Sequence, residues 1–160
     1  MQVYTAKDLL EADARLELKT LMEKEIAEAL DTSVSKYQSQ GPQHAKHQDC
    51  VPLQNLCKKI EEIGSELCKA AVTVKNCWFV ICREDSEFEF HNHTPEKLSA
   101  VYYLENCNNN GTIFESFFTK LQVLSEDNTV IFFAPDQMHC TPKWNGADRY
   151  SIAFDLEIQS

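Results

Sequence analysis

The chain is short of positive charge and has no long apolar run. Its 160 residues include 15 Lys and Arg against 25 Asp and Glu, a formal net charge of −10. This balance disfavours binding to nucleic acid or to an anionic membrane surface, because either requires a basic field. No apolar run approaches the ~20 residues that span a bilayer. The N-terminal MQVYTAKDLLEAD lacks the basic start and apolar core of a secretory signal, so we expect no membrane association.

Cysteine is frequent, but the spacing typical of a zinc site or a redox pair is missing. The seven cysteines are odd in number and include no C-x-x-C pair. Disulfide frameworks occur mostly in small secreted chains. We therefore expect reduced, structural thiols and a cytoplasmic protein. The seven are Cys50, Cys57, Cys68, Cys77, Cys82, Cys107 and Cys140.

The first half of the chain has the period of helices. Residues 5–30 open with Thr5 and Asp8, which resemble a capping box, and apolar residues then recur at helical spacing. Residues 31–49 lose this period and are rich in Ser and Gln, so a long loop is expected. A second helix is predicted after Asp49. The apolar stripes are Leu9, Leu16, Met22, Ile26 and Leu30 in the first helix, and Leu53, Leu56, Ile60, Ile63 and Leu67 in the second.

From about residue 75 the pattern changes to short β-branched or aromatic runs separated by turn residues. Seven or eight strands at this spacing favour a sandwich or a barrel. We predict a single, mainly β domain over residues 1–160. In it, residues 1–74 form helices and a long loop that pack on a double-sheet core of residues 75–160. The predicted strands are CWFVICRE, FEFHNH, LSAVYYLE, GTIFES, KLQVL, TVIFFAP and RYSIAFDLEI.

Three histidines have the spacing of a metal site. His91 and His93 end the run FEFHNH, and residues two apart on a strand share a face, so both imidazoles point the same way. His139 lies beyond the distant strand TVIFFAP. Metal sites in β-cores commonly take two ligands from one strand end and one from another strand. Imidazole binds iron, zinc, copper or nickel, so the ligand type does not select the metal. The alternative is that these are ordinary polar strand residues.

An arginine on the last predicted strand is the second candidate. Alternation places Arg149, Ser151 and Ala153 on one face of RYSIAFDLEI. An arginine inside a narrow β-core is costly by itself. It is explained if the guanidinium binds a carboxylate in bidentate fashion, with the Ser151 hydroxyl adding a hydrogen bond. The alternative is a rim residue that pairs with Asp148 or another acid.

Taken in order, these elements resemble the core of the iron(II)/2-oxoglutarate-dependent oxygenases, in particular the prolyl-hydroxylase-like members and small uncharacterised relatives. His91-Asn92-His93 stands where that superfamily has H-x-D/E. The segments AVYYLENC and NGTIFES follow, TVIFFAPDQMH ends on the distal histidine, and Arg149-Tyr150-Ser151 matches its R-x-S. The resemblance covers His91 to Ile158. It implies a double-stranded β-helix, a jelly-roll and cupin-like core, buttressed by the two N-terminal helices.

The resemblance also implies an activity. Such an enzyme binds Fe(II) and the co-substrate 2-oxoglutarate, consumes dioxygen, and hydroxylates a small-molecule or peptide substrate as 2-oxoglutarate is converted to succinate. The residues implied are His91, His93 and His139 for the metal, and Arg149, Ser151 and Tyr103 for 2-oxoglutarate.

One position departs from the superfamily pattern. His93 stands where an Asp or Glu ligand is usual, and the facial set of two histidines and one carboxylate is typical of ferrous oxygenases. Either His93 is itself the third ligand, or an acid such as Glu96 supplies the carboxylate.

Two other functions fit parts of the pattern. A cupin-type three-histidine dioxygenase, which does not use 2-oxoglutarate, fits the order H-x-H then H. The glycines expected around cupin motifs are missing, however, and Arg149 has no role there. A non-enzymatic jelly-roll module with structural or zinc-binding histidines is the other alternative. Neither the substrate nor the oligomeric state is indicated by the sequence.

Overall fold

The computed structural model describes residues 2–27, 36–86, 88–108 and 110–159. Within these residues it contains ten strands and three helices. In chain order they are β1 (Val3–Lys7), α1 (Ala12–Ala27), β2 (Lys36–Gln38), α2 (Gln43–Lys46), α3 (Val51–Cys68), β3 (Val72–Cys82), β4 (Phe88–His91), β5 (Leu98–Glu105), β6 (Thr112–Ser116), β7 (Thr119–Val123), β8 (Thr129–Phe133), β9 (Met138–Thr141) and β10 (Arg149–Ile158).

The strands form two antiparallel sheets. The larger has the order β1-β8-β5-β10-β3-β2, and the smaller has the order β4-β9-β6-β7. The prediction of a mainly β protein, with a double-sheet jelly-roll core and supporting helices, is confirmed. No helix in the described part of the chain is long and apolar enough to cross a membrane.

Strand β10 lies between β5 and β3 in the larger sheet. This sheet has the helices on one side and the smaller sheet on the other. Because successive side chains alternate between faces, one set of residues packs against the helices and the other faces the smaller sheet. The helix-facing set is Tyr150, Ile152, Phe154 and Leu156. The opposite set includes Arg149, Ser151 and Ala153. The faces predicted for this strand are therefore confirmed.

The main apolar core lies between the helices and the larger sheet. Of the stripe predicted on α3, Leu53, Leu56 and Ile60 are fully buried, in one cluster with Cys77 and Phe79 of β3. Ile63 is partly buried and Leu67 is 36% exposed, so the end of the stripe is not in the core. Burial of such an amphipathic face, rather than helix propensity, is what stabilises a helix of this kind.

The predicted start of the first helix is wrong. Residues 3–7 form β1, which pairs with β8, and α1 begins only at Ala12. The turn between them is held by Asn128, whose side chain accepts a hydrogen bond from the Leu10 amide at 2.9 Å and donates one to the Leu10 carbonyl at 2.9 Å. Asp8 has a φ of 59°, outside the helical region. Pairing at the sheet edge thus overrides a local capping pattern.

The predicted stripe on this helix also changes. Leu16 is 64% exposed, whereas Leu18 and Met22 are fully buried. The Ile26 side chain and Leu30 lie outside the described residues. Leu9 and Met22 of the predicted stripe are therefore buried as expected, and Leu18 takes the place of Leu16 against the core.

The long loop predicted over residues 31–49 is partly ordered secondary structure. Lys36–Gln38 forms β2, which pairs with β3, and Gln43–Lys46 forms α2. Residues 31–35 lie outside the described residues. Segments from before residue 75 therefore supply both edge strands of the larger sheet, β1 and β2.

Two leucines of α1 test this arrangement. Leu18→Ala is expected to lower the free energy of unfolding by about 2–5 kcal/mol, because it removes a buried side chain and leaves a cavity. Leu16→Ala on the same helix is expected to change it by no more than about 0.5 kcal/mol. Urea unfolding followed by circular dichroism measures both. Equal losses in the two variants would contradict the burial described here.

Candidate active site

A cavity of about 260 Å³ lies between the two sheets. Its walls combine imidazoles, one guanidinium, two hydroxyl-bearing threonines and several apolar side chains. The larger sheet contributes Gln38, Trp78, Val80, Val101, Arg149, Ser151 and Ala153, while the smaller sheet and the segment after β4 contribute Phe88, His91, His93, Thr112, His139 and Thr141.

Strand pairing in the smaller sheet brings the three histidines together. His91 ends β4 and stands opposite His139 of β9 in the register, and His93 follows two residues later. One ligand atom from each residue lies within 4.8 Å of the others. His93 Nε2 and His139 Nε2 are 3.2 Å apart. The histidines that the sequence singled out therefore form one cluster, at the side of the pocket.

Each imidazole has an oxygen behind it. His91 Nδ1 lies 2.7 Å from the Glu89 carbonyl oxygen, and His139 Nδ1 lies 2.9 Å from the Gln137 carbonyl oxygen. A carbonyl oxygen can only accept, so Nδ1 carries the proton in both rings and Nε2 carries the lone pair. His93 Nδ1 lies 3.2 Å from Asp155 Oδ1. The cluster thus presents Nε2 atoms that are available to a cation.

Electrostatics favour the neutral form of the most buried ring. The pKa of His139 is lowered to about 4, chiefly by burial; the Gln137 carbonyl opposes the shift, and the neighbouring imidazoles of His91 and His93 add to it. A neutral imidazole is the form that binds metals.

Arg149 is a buried cation without a carboxylate partner in the described part of the chain. The residue is 1% exposed, its Nη2 donates to the Gly111 carbonyl oxygen at 3.5 Å, and its Nε has no hydrogen-bond partner. The guanidinium carbon lies 5.4 Å from the centre of the Tyr103 ring. Asp148 is instead 3.8 Å from Arg83. The alternative of a rim arginine paired with Asp148 is therefore wrong.

The position of the Gly111 carbonyl, which accepts the hydrogen bond from Arg149, requires a glycine at this residue. Gly111 has a φ of 75°, and a Cβ there would lie 1.8 Å from the Val123 carbonyl oxygen. Only glycine fits this approach of two backbones. The turn before β6 consequently holds a carbonyl against the Arg149 side chain.

The guanidinium and the histidines occupy different ends of the pocket. Arg149 is the first residue of β10, whereas His93 contacts Asp155 near the far end of the same strand. Small or apolar side chains, Val80, Val101 and Ala153, line the space between.

Comparison with solved structures finds the same architecture. The chain is similar to a prolyl hydroxylase from Trichoplax adhaerens in complex with a hypoxia inducible factor oxygen degradation domain peptide fragment, with a TM-score of 0.75 at 13% identity over 98% of this chain and 83% of that one. It is similar to HygX from Streptomyces hygroscopicus with nickel and 2-oxoglutarate bound, with a TM-score of 0.75 at 10% identity over 98% and 82%.

A third similar structure is the viral collagen prolyl hydroxylase vCPH from Paramecium Bursaria Chlorella virus-1, a 2-oxoglutarate complex. Its TM-score is 0.70 at 12% identity, over 96% of this chain and 94% of that one. The chain has the fold of the iron(II)/2-oxoglutarate oxygenases. No protein-family model matches the sequence, and no curated protein matches it. The fold implied by the sequence resemblance is confirmed.

Within this oxygenase fold, Tyr103 lies beneath the pocket. It is fully buried in a cluster with Phe114 and Ile131, and its hydroxyl is 2.6 Å from Thr112 Oγ1. Burial raises the pKa of Tyr103 to about 12, so the phenol keeps its proton. Ser151, its register partner on β10, lines the pocket directly. The predicted contact of Tyr103 with 2-oxoglutarate stays a prediction.

Sequence reasoning missed several lining residues, among them Thr112 and Trp78. Thr112 lies on the same face of GTIFES as the buried Phe114, an alternation that the sequence displays. Trp78 also lines the pocket, and its ring centre is 5.7 Å from that of His93. Trp144 is buried against Val80 and Cys82.

Glu96 is not part of the histidine cluster. Its carboxylate is 2.9 Å from the Lys75 ammonium, and the group of possible ligands in the described residues contains histidines alone. Of the two explanations offered for the missing carboxylate, the geometry favours His93 as the third donor.

Proposed function

We propose that this protein is an iron(II)- and 2-oxoglutarate-dependent dioxygenase. The observation that carries the proposal is the composition of one pocket. Three converging imidazoles stand towards one end, and a buried guanidinium without a carboxylate partner in the described residues stands towards the other. The oxygenase fold and the bound groups named for HygX, nickel and 2-oxoglutarate, support the same reading.

The proposed metal ligands are the Nε2 atoms of His91, His93 and His139. Two lone pairs only 3.2 Å apart, as on His93 and His139, repel each other unless a cation lies near both. A set of three neutral nitrogens is suited to ferrous iron as well as to zinc, nickel or copper. The hydrogen bonds behind His91 and His139 hold each ring in the tautomer that binding requires.

The proposed partner of Arg149 is the distal carboxylate of 2-oxoglutarate. A buried guanidinium without an anion is unfavourable, and its planar fork matches a carboxylate. The hydroxyls of Ser151 and Thr112 line the same pocket and can add hydrogen bonds. A linear 2-oxo dicarboxylate can place its distal carboxylate at Arg149 while its 2-oxo acid end faces the histidines.

Each part of the pocket then has a chemical task. Bound iron would supply activation of dioxygen and decarboxylation of 2-oxoglutarate to succinate, which this class couples to substrate hydroxylation. The protein itself holds the metal through imidazoles, orients the co-substrate through Arg149, and limits water through Val80, Val101 and Ala153. The proposed substrate is a small molecule or a peptide.

A cupin-type three-histidine dioxygenase is the second candidate. The all-nitrogen donor set favours it, since the usual carboxylate is absent from the cluster. In such an enzyme the substrate binds the metal directly, and a buried arginine at the other end of the pocket has no part in 2-oxoglutarate binding.

The first prediction concerns the metal. The protein is expected to bind one equivalent of nickel or ferrous iron under anaerobic conditions. His91→Ala and His139→Ala should each weaken binding by more than the 10- to 100-fold that loss of an outer hydrogen-bond partner costs. His44→Gln, outside the cluster, should leave it unchanged. Calorimetric titration with nickel is the measurement, and full affinity in both cluster variants would place the site elsewhere.

The second prediction concerns Arg149. Arg149→Gln should weaken 2-oxoglutarate binding to the nickel-loaded protein by roughly a hundredfold, about 3 kcal/mol for a buried charge-assisted pair. Arg149→Lys should lose part of it, because lysine keeps the charge without the fork. Nickel affinity should stay unchanged in both variants, and Arg83→Ala is the matched surface control.

Calorimetric titration of 2-oxoglutarate separates the candidates. Binding that depends on Arg149 supports the 2-oxoglutarate enzyme. Metal binding without any 2-oxoglutarate binding in the wild type would favour the cupin-type enzyme or a non-enzymatic metal-binding module. Wild-type affinity in Arg149→Gln would remove the role proposed for this residue.

A further inference from the structure

A carboxylate lies directly behind His93. Asp155 is on β10, on the same face as Arg149, Ser151 and Ala153, and its side chain is 14% exposed. Its Oδ1 is 3.2 Å from His93 Nδ1, the nitrogen that points away from the cluster. The other two imidazoles have only neutral backbone carbonyl oxygens in this place.

Asp155 has no other ion-pair partner in the parts of the chain that the structure describes. Its Oδ1 is buried and is not aligned for a hydrogen bond, although it is within ion-pair distance of His93. Its register neighbours on the two flanking strands, Asn76 and Ser99, also have buried side-chain oxygens without partners, Oδ1 and Oγ. The space between these three side chains therefore contains two oxygens that can only accept, on Asp155 and Asn76, and the Ser99 hydroxyl, which can also donate.

The tautomer of the neutral His93 ring decides whether the Asp155 carboxylate has a donor on this side. A buried carboxylate without a donor is strongly unfavourable. If Nδ1 of His93 carries the proton, Asp155 gains a charge-assisted donor after a small ring rotation, and the lone pair is left on Nε2. That lone pair faces His139 Nε2, where the proposed metal lies.

We infer that Asp155 is a positioning residue for the metal site. It fixes the tautomer and orientation of His93. It also supplies, behind the ligand His93, the negative charge that a carboxylate ligand would have supplied at the metal itself. This inference rests on the proposed metal site. Carboxylates behind ligating histidines raise ligand basicity, and their loss typically weakens metal binding 10- to 100-fold.

The first test compares two isosteric losses of charge. Asp155→Asn is expected to weaken nickel binding by about 10- to 100-fold. Glu96→Gln removes a carboxylate in the same region that pairs with Lys75 instead of a histidine, and it should change nickel affinity by less than about threefold. Thermal unfolding of the metal-free variants shows whether folding is affected. Equal effects of the two substitutions would overturn the inference.

The second test asks whether Asp155 acts through His93. In His93→Ala the imidazole that Asp155 contacts is removed, so adding Asp155→Asn should weaken nickel binding by less than about threefold further, although Asp155→Asn alone weakens it about 10- to 100-fold. A double-mutant cycle measures this coupling. Simple additivity of the two losses would contradict the role of Asp155.

The third test reads the tautomer directly. Nitrogen NMR of the zinc-loaded protein should show His93 with a protonated Nδ1 and a metal-bound Nε2. Metal on Nδ1, or no metal on His93, would overturn the inference. A wild type that binds no metal would remove the metal site as well. A wild type that binds metal with an affinity insensitive to Asp155→Asn would remove the role of Asp155 alone.

Discussion

The two-residue period of β10 is the constraint on which the rest of the structure depends. One face of this strand packs against the helices and the other faces the cavity between the two sheets. Its large apolar residues pack against the helices, which leaves the opposite face for Arg149, Ser151 and Asp155. A slip of one residue would exchange the two sets and would bury a guanidinium and a carboxylate in the apolar core. The packing energy of the helical layer therefore also fixes the placement of the charged groups in the site.

Charge balance then connects the elements of the site. Three neutral imidazoles would leave the full charge of the proposed divalent metal uncompensated, and Arg149 adds another positive charge in the same pocket. A dianionic co-substrate would offset much of this excess, which is a physical reason to prefer 2-oxoglutarate over a neutral ligand. The carboxylate of Asp155 adds one negative charge behind His93. Where the usual pattern H-x-D/E has a carboxylate ligand, this chain has His93 with the carboxylate of Asp155 next to it in space.

The parts of the fold that local patterns encode were predictable from the sequence, and the parts that depend on long-range pairing were not. The 3,4 spacing of α3 and the alternation of RYSIAFDLEI each imply their buried faces, and the order of the histidines implied their cluster. Strand β1 was missed because its pairing with β8 joins distant parts of the chain, and the Thr5–Asp8 pattern suggested a helix. Asp155 was missed for the same reason, since its proximity to His93 arises from the packing of two sheets.

The central claim is that one pocket combines metal ligation by histidines with 2-oxoglutarate binding, and turnover of the co-substrate tests it most directly. Purified protein is incubated with ferrous iron, dioxygen and 2-oxoglutarate, and succinate is measured against the His139→Ala variant. Even without the native substrate, the account predicts slow succinate formation that requires both iron and dioxygen and is lost in the variant. A wild-type protein that binds iron at the three histidines, yet forms no more succinate than the variant, would contradict it.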